Sequence, residues 1–190
     1  GIIIAGQNGP GATNLVTGVA QAAAAFSPVI SLAGAISSEH VGKDSFQEID
    51  QQALFESFTK KTWTINQTNR IHEILDEAFH LALTPRYGPV HVNLPRDILS
   101  TSASFAKFKK QKKFQTQNLP LATTKDLSKT IDIILSSSQP VIIAGGGIKN
   151  TKGYQEVIKL AKILNTPIVA SAGHGDAIPF NESLYAGQMG

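Results

Sequence analysis

There is no cysteine among the 190 residues. That absence removes disulfides, thiolate zinc sites and cysteine nucleophiles from the possible chemistry, and it fits a reducing compartment. Charge is also sparse, at 16% of residues, and aromatics reach only 7%. Set against 42% hydrophobic residues, this composition excludes a disordered acidic or basic tail and fits a globular protein. No apolar run approaches the roughly 18 to 20 residues of a membrane span, and the start of the chain lacks the charged segment and cleavage site of a signal peptide. The expectation is a soluble, cytoplasmic protein without a membrane partner. The net charge of +3 hints at nucleic acid, but Lys107, Lys109, Lys110, Lys112 and Lys113 crowd one short stretch and the rest of the chain is slightly acidic. With no aromatics interleaved along a basic groove, no nucleic-acid partner is expected.

The length suits one domain, or two that are small or incomplete. The chain opens on Gly-Ile-Ile-Ile-Ala without an initiator Met and stops at Gly190 after a Gly-Gln-Met run. Both ends therefore read as cuts in a longer protein.

Residues 2–5 form a β-branched run without alternation, as expected of a parallel strand covered on both faces. A Gly-rich turn at 6–11 leads into a helix over 12–25, and a second apolar strand follows at 28–33. The sequence predicts a short helix over 48–58 and a clearer one over 69–83, where Ile71, Ile74, Leu75, Ala78, Phe79 and Ala82 recur at helical spacing until Pro85 ends it. Val90, Val92 and Leu94 alternate with His91 and Asn93 in a strand closed by Pro95. Strands separated by helices imply a mainly parallel α/β sheet. Periodicity dissolves over 101–125, which reads as a linker between a domain at 1–100 and a second α/β unit at 126–190. In that unit Leu127, Ile131, Ile134 and Leu135 mark a helix, 141–144 a strand, 154–164 a helix and 168–171 a strand.

The stretch Gln7-Asn8-Gly9-Pro10-Gly11-Ala12-Thr13-Asn14 carries the most information. Glycines flanking Pro10 permit close backbone approach to a ligand, and a helix start behind them offers N–H groups; a plain strand-to-helix turn tolerates the same residues. The stretch is neither a Walker A loop nor Gly-x-Gly-x-x-Gly. Gln47 is the stronger functional candidate because packing does not require a polar residue between Phe46 and a helix start; a turn contact or cap is the structural alternative. Lys60 and Lys61 suit either a helix end or an active site. Arg96 and Asp97 read as a pair at a strand end. His174 with Asp176 makes too few ligands for a metal site, so a loop role is expected. His40, His72, His80 and His91 are scattered and read as surface or satisfied core. Gly145-Gly146-Gly147 after a strand is similar to a dinucleotide-binding turn.

Gly9-Pro10-Gly11-Ala12-Thr13-Asn14, Ser27-Pro28-Val29, Phe46-Gln47-Glu48, Thr59-Lys60 and Gly88-Pro89-Val90 through Leu94-Pro95-Arg96-Asp97 occur in this order, and in this the chain resembles the thiamine-diphosphate enzymes similar to acetolactate synthase. The resemblance implies a parallel-sheet thiamine-diphosphate-binding fold, a partial pyrimidine-binding domain, followed by a partial Rossmann-like central domain. It further implies thiamine diphosphate and Mg²⁺ as cofactors, with an activating Glu and the Mg²⁺ ligands outside this chain, and catalysis through a C2 carbanion that adds to a small carbonyl substrate. On the same ground Gly9, Pro10, Gly11 and Asn14 are expected to line the cofactor, Phe46 and Gln47 to face the reacting carbon or substrate, and the working unit to be a homodimer or homotetramer.

Within that family the chain departs from acetolactate synthase at Gly34-Ala35-Ile36-Ser37 and at Ser45, whereas Gln7-Asn8-Gly9-Pro10-Gly11, Phe46-Gln47-Glu48 with Gln51, Phe55-Glu56 and His174-Gly175-Asp176-Ala177 look more like sulfoacetaldehyde acetyltransferase, which converts sulfoacetaldehyde and phosphate to acetyl phosphate and sulfite. Acetolactate synthase, joining two pyruvates with loss of CO2, is the alternative. A flavin- or nucleotide-binding module built on Gly145 to Gly147, with FAD, and a non-catalytic relative are the other readings.

Overall fold

The structure is a computed structural model that describes residues 2–104, 121–151 and 153–190. The lysine run at 107–113 lies outside the described residues. The chain divides into two compact units, Gly1–Leu119 and Pro120–Gly190, the division falling within the stretch read as linker.

In the first unit, β1 (Ile2–Gly6) leads through the Gly-rich turn to α1 (Pro10–Thr13) and α2 (Val16–Ala24), then to β2 (Val29–Ala35). The expected single helix is thus two, and it starts at Pro10, whose fixed φ and missing N–H suit a first helical position. A 3-10 turn at Ser38–His40 precedes α3 (Gln51–Glu56) and β3 (Thr62–Thr64), and a second at Thr68–Arg70 leads into α4 (Ile71–Ala82), β4 (Val90–Pro95) and α5 (Arg96–Ser100). Asp50 starts α3 by accepting the Ala53 N–H at 2.9 Å.

All strand pairs of this sheet are parallel, in the order β1-β2-β4-β3. The chain steps from β2 past one place to β3 and returns to insert β4. Because parallel crossovers are right-handed, that reversal puts α4 on the face opposite α1 to α3. Packing agrees. Ile74, Ala78 and Ala82 of α4 pack with Ile30, Trp63, Val90 and Val92, whereas Ala12, Val19 and Phe55 pack with Ala33 on the other face. The period of two then forces Ser31, His91 and Asn93 onto the α3 face.

Among the described residues β1 pairs with β2 alone, and Ile2 and Ile3 are exposed where coverage on both faces was expected.

The second unit holds α6 (Thr124–Ser136), β5 (Ile142–Ala144), α7 (Gly146–Thr151), α8 (Tyr154–Leu164), β6 (Ile168–Ala170) and β7 (Tyr185–Gln188), with a parallel sheet in the order β5-β6-β7. Its core gathers Ala144, Ala161, Ile168, Ala177 and Ile178. Among the described residues no helix is long and apolar enough to cross a membrane.

Candidate active site

Open α/β sheets bind ligands beyond the carboxyl ends of their strands, and in the first unit that end is built around Gly9 and Gln47. Gly9 has φ +58°, and a Cβ placed on it would meet the Cβ and carbonyl oxygen of Gln47 at 2.8 Å. Gln47 is itself left-handed, at φ +63°. The turn after β1 and the loop before α3 therefore touch backbone to backbone, which only glycine permits at this position. Glu48 folds that loop by accepting the N–H groups of Gly42 at 2.5 Å and Ser45 at 2.9 Å. These two bonds hold its carboxyl below the usual range.

Gln51, at the first turn of α3, ties the region to the sheet. Its Oε1 accepts the Gly9 N–H at 3.2 Å, and its Nε2 donates to the Gly34 carbonyl at 3.0 Å and to Asn93 Oδ1 at 2.8 Å. Asn93 Nδ2 donates to Thr64 Oγ1 at 3.2 Å. His91 Nε2 lies 2.8 Å from the same Asn93 Oδ1, and Nδ1 lies 3.1 Å from Ser31 Oγ. Since Oδ1 only accepts, the proton sits on Nε2 and Ser31 donates to Nδ1. His91 is fully buried. Burial pushes it down to about 4, the Asn93 bond offsetting only part, so the ring is neutral near pH 7.

Two cavities open at this end. One, of about 570 Å³, is lined by residues including Gln47, Gln51, Thr64 and Asn93. The other, of about 490 Å³, is lined by Gln7, Asn8, Phe46, Gln47 and Arg96, among others. Gln47 borders both. The second cavity has amides, an exposed aromatic ring and one guanidinium around it, and no carboxylate. Among the described residues Arg96 makes no ion pair. Amides that both donate and accept, next to a flat ring, fit a planar heterocycle with mixed donor and acceptor nitrogens.

Of the six residues singled out in the sequence, Phe46 and Gln47 line these cavities. Gly9 is buried against Gln47, while Pro10, Gly11 and Asn14 line neither cavity, and Pro10 and Asn14 are exposed. The glycines serve the chain's own close packing: a Cβ on Gly11 would meet that of Gln7 at 3.0 Å. Gln7, Asn8, Gln51, Asn93 and Arg96 were not singled out as site residues. The alternation of β4 signalled that His91 and Asn93 share a face, but nothing local tied that face to Gly9.

Other candidates have structural roles. Lys60 Nζ donates to the carbonyls of Leu81, Thr84 and Arg86 at 2.6, 2.8 and 3.0 Å, closing the end of α4. Lys61 pairs with Glu77 at 2.6 Å, and Trp63 Nε1 donates to the same carboxylate. The expected Arg96–Asp97 pair is replaced by a bond from the Ser38 N–H to Asp97 at 3.0 Å, which holds that carboxyl low. His174 lies near Ser171 Oγ and the Ala172 carbonyl, and a Cβ on Gly146 would strike its ring at 2.5 Å. That contact accounts for one glycine of the Gly145 to Gly147 run. Among the described residues no group of three His, Cys, Asp or Glu is placed to hold a metal.

Comparison with known proteins bears on the whole chain. The model of the thiamine pyrophosphate enzyme N-terminal TPP binding domain matches residues 2–54, and that of the thiamine pyrophosphate enzyme central domain matches residues 127–190. A probable acetolactate synthase large subunit of Methanococcus aeolicus is 37% identical over 97% of this chain and 31% of its own length. That of Methanocaldococcus jannaschii is 36% identical over 96% of this chain and 32% of its own length. The acetolactate synthase large subunit of Corynebacterium glutamicum is 30% identical over all of this chain and 30% of its own length. The chain thus spans about a third of the length of these relatives. With the N-terminal model of one family on its first unit and the central model of the same family on its second, the chain belongs to the thiamine pyrophosphate enzymes.

Proposed function

We propose that the chain is part of a carboligase of the acetolactate synthase type, which joins two molecules of a small 2-oxo acid, pyruvate, with release of CO2 and uptake of one proton. Bound thiamine diphosphate supplies a nucleophilic carbon for the substrate carbonyl and an electron sink for the departing carboxylate. Gln7 and Asn8 hold and orient its aminopyrimidine through amides that donate and accept, and Phe46 offers an apolar face. Gln47, bordering both cavities, donates to the oxygen of the reacting carbonyl. Arg96 faces the substrate carboxylate. Mg²⁺, the activating Glu and a partner subunit belong to the rest of the whole protein.

The observation that carries this reading is the position of Phe46 and Gln47 at the cavities beyond the strand ends, in a chain of this family. Motif details at Ser45 and His174 favoured sulfoacetaldehyde acetyl transfer; the names of the relatives move the preference to acetolactate formation. The test is an assay of the whole protein with thiamine diphosphate and Mg²⁺. Acetolactate from pyruvate is the expected product. Sulfite and acetyl phosphate from sulfoacetaldehyde and phosphate, with pyruvate left unconsumed, would restore the other reading.

A further inference from the structure

We propose that Gln51 is a positioning residue, tethering the Gly9 turn to β2 and β4 and so fixing where Gln47 stands between the two cavities. Gln51 is nearly buried, and its bonds reach residues from three segments: Gly9 after β1, Gly34 in β2 and Asn93 in β4. Each partner is a strand end or the turn following one. Gly9 in turn packs on the Cα, Cβ and carbonyl of Gln47, so a shift of the turn is transmitted directly to that residue.

The left-handed φ of Gln47 makes the tether necessary. A non-glycine residue at φ +63° is strained, and it persists where its surroundings over-determine it. The Glu48 bonds hold one side of Gln47, and the Gly9 turn holds the other. Remove the Gln51 oxygen and the turn loses its anchor, while the core formed by Phe55 and Val19 stays in place. The loss should therefore be local. The residues behind Gln51 set its orientation: Asn93 Oδ1 accepts from both Gln51 Nε2 and His91 Nε2, leaving the Gln51 oxygen as the end that faces Gly9.

The role rests on the proposed part of Gln47 in the reaction, so the test has two arms, both in the whole protein. In the first, amide hydrogen exchange is compared for wild type and Gln51→Met without added cofactor. Peptides covering 7–11 and 45–48 should exchange at least about ten-fold faster in the variant, with α4 unchanged. Unchanged exchange at the turn overturns the proposal. In the second arm, Gln51→Met, Gln47→Ala and the double variant are assayed. Gln51→Met should lower kcat by roughly ten-fold with thiamine diphosphate affinity within about three-fold, and the double variant should be no slower than Gln47→Ala alone. Losses that multiply overturn the action through Gln47. Should Gln51→Met not fold, the wild type carries the test: the Gly9 amide, bonded to Gln51, should exchange at least about ten-fold slower than the same amide in an unstructured chain; exchange at the unstructured rate overturns the tether. A wild-type protein that forms no acetolactate refutes the functional reading, while the exchange arm still decides the tether.

Discussion

The Phe55 ring lies flat on the His91 imidazole, with ring centroids 3.7 Å apart and 7° between the planes. That lid, together with Ser31 and Asn93, leaves no water to solvate a charged ring, and burial pushes His91 to about 4. The unfolded chain has the ordinary histidine value near 6.5, so below that pH it binds a proton the folded chain refuses. The contribution to stability is complete above about pH 6.5 and is lost as pH falls toward about 4, amounting to about 3 kcal/mol at most. Urea denaturation between pH 7.5 and pH 4.5 should show this loss, and His91→Phe should flatten it. Identical slopes in the two proteins would mean that another group titrates.

Gly9 and Gly18 make a matched pair for mutation. Gly9 combines φ +58° with a Cβ position only 2.8 Å from Gln47, whereas Gly18, within α2, has nothing within 4 Å of its Cβ position. Gly9→Ala should cost roughly 2 to 3 kcal/mol from strain and overlap. Gly18→Ala should stabilise by about 0.5 to 1 kcal/mol, because alanine favours the helix and restricts the unfolded chain. Midpoints of chemical denaturation separate the two; a loss at Gly18 would show that its exposed face is covered in the whole protein.

The difference between those glycines was not legible in the sequence, since Gly9 meets a residue 38 positions away and no local pattern records that approach. What was legible is what repeats locally. The apolar stripe from Ile71 to Ala82 gave α4 to within two residues, and the alternation over Val90 to Leu94 gave β4. β3 was missed because Thr62, Trp63 and Thr64 are too few to establish a period, and β7 because glycine interrupts Tyr185 to Gln188. Pro95 closes β4 as expected, but α5, which begins on the next residue, went unread because its five residues are too few to show a helical period. In the candidate site, Phe46 and Gln47 came from a motif, but Gln51 depends on partners 42 residues away on both sides, Gly9 and Asn93.

Lys60 sets the end of α4. Its ammonium donates to three carbonyls, and burial holds it below the usual lysine value. Its stem packs under Gly88, whose Cβ position is 3.1 Å from Lys60 Cδ. Lys60→Met keeps the stem and removes the donors, leaving the Leu81 carbonyl of the last turn and those of Thr84 and Arg86 beyond it to water; because the site is partly open, the cost should be only about 1 kcal/mol. Thermal unfolding of the variant measures it. If Lys60 instead took part in the reaction, Lys60→Met would slow turnover at temperatures where the fold is intact, and the structural assignment would fail.

Arg96 and Gln47 border the same cavity, so the proposed division of labour between them can be read from kinetics. A guanidinium without an ion-pair partner among the described residues is available to a substrate carboxylate, and a charge-assisted bond of that kind contributes about 1.5 to 3 kcal/mol. If that interaction is equal in the ground and transition states, Arg96→Gln raises KM for pyruvate by roughly ten-fold or more and leaves kcat near wild type. Gln47→Ala should do the reverse, lowering kcat by roughly 10²-fold while KM and thiamine diphosphate affinity move little, because its amide acts where charge develops on the reacting oxygen. Steady-state rates of acetolactate formation by the whole protein, with a calorimetric titration of thiamine diphosphate, distinguish the two. An Arg96→Gln protein whose KM for pyruvate is unchanged would place the carboxylate elsewhere, and equal loss of turnover and cofactor affinity in Gln47→Ala would make that residue a cofactor ligand.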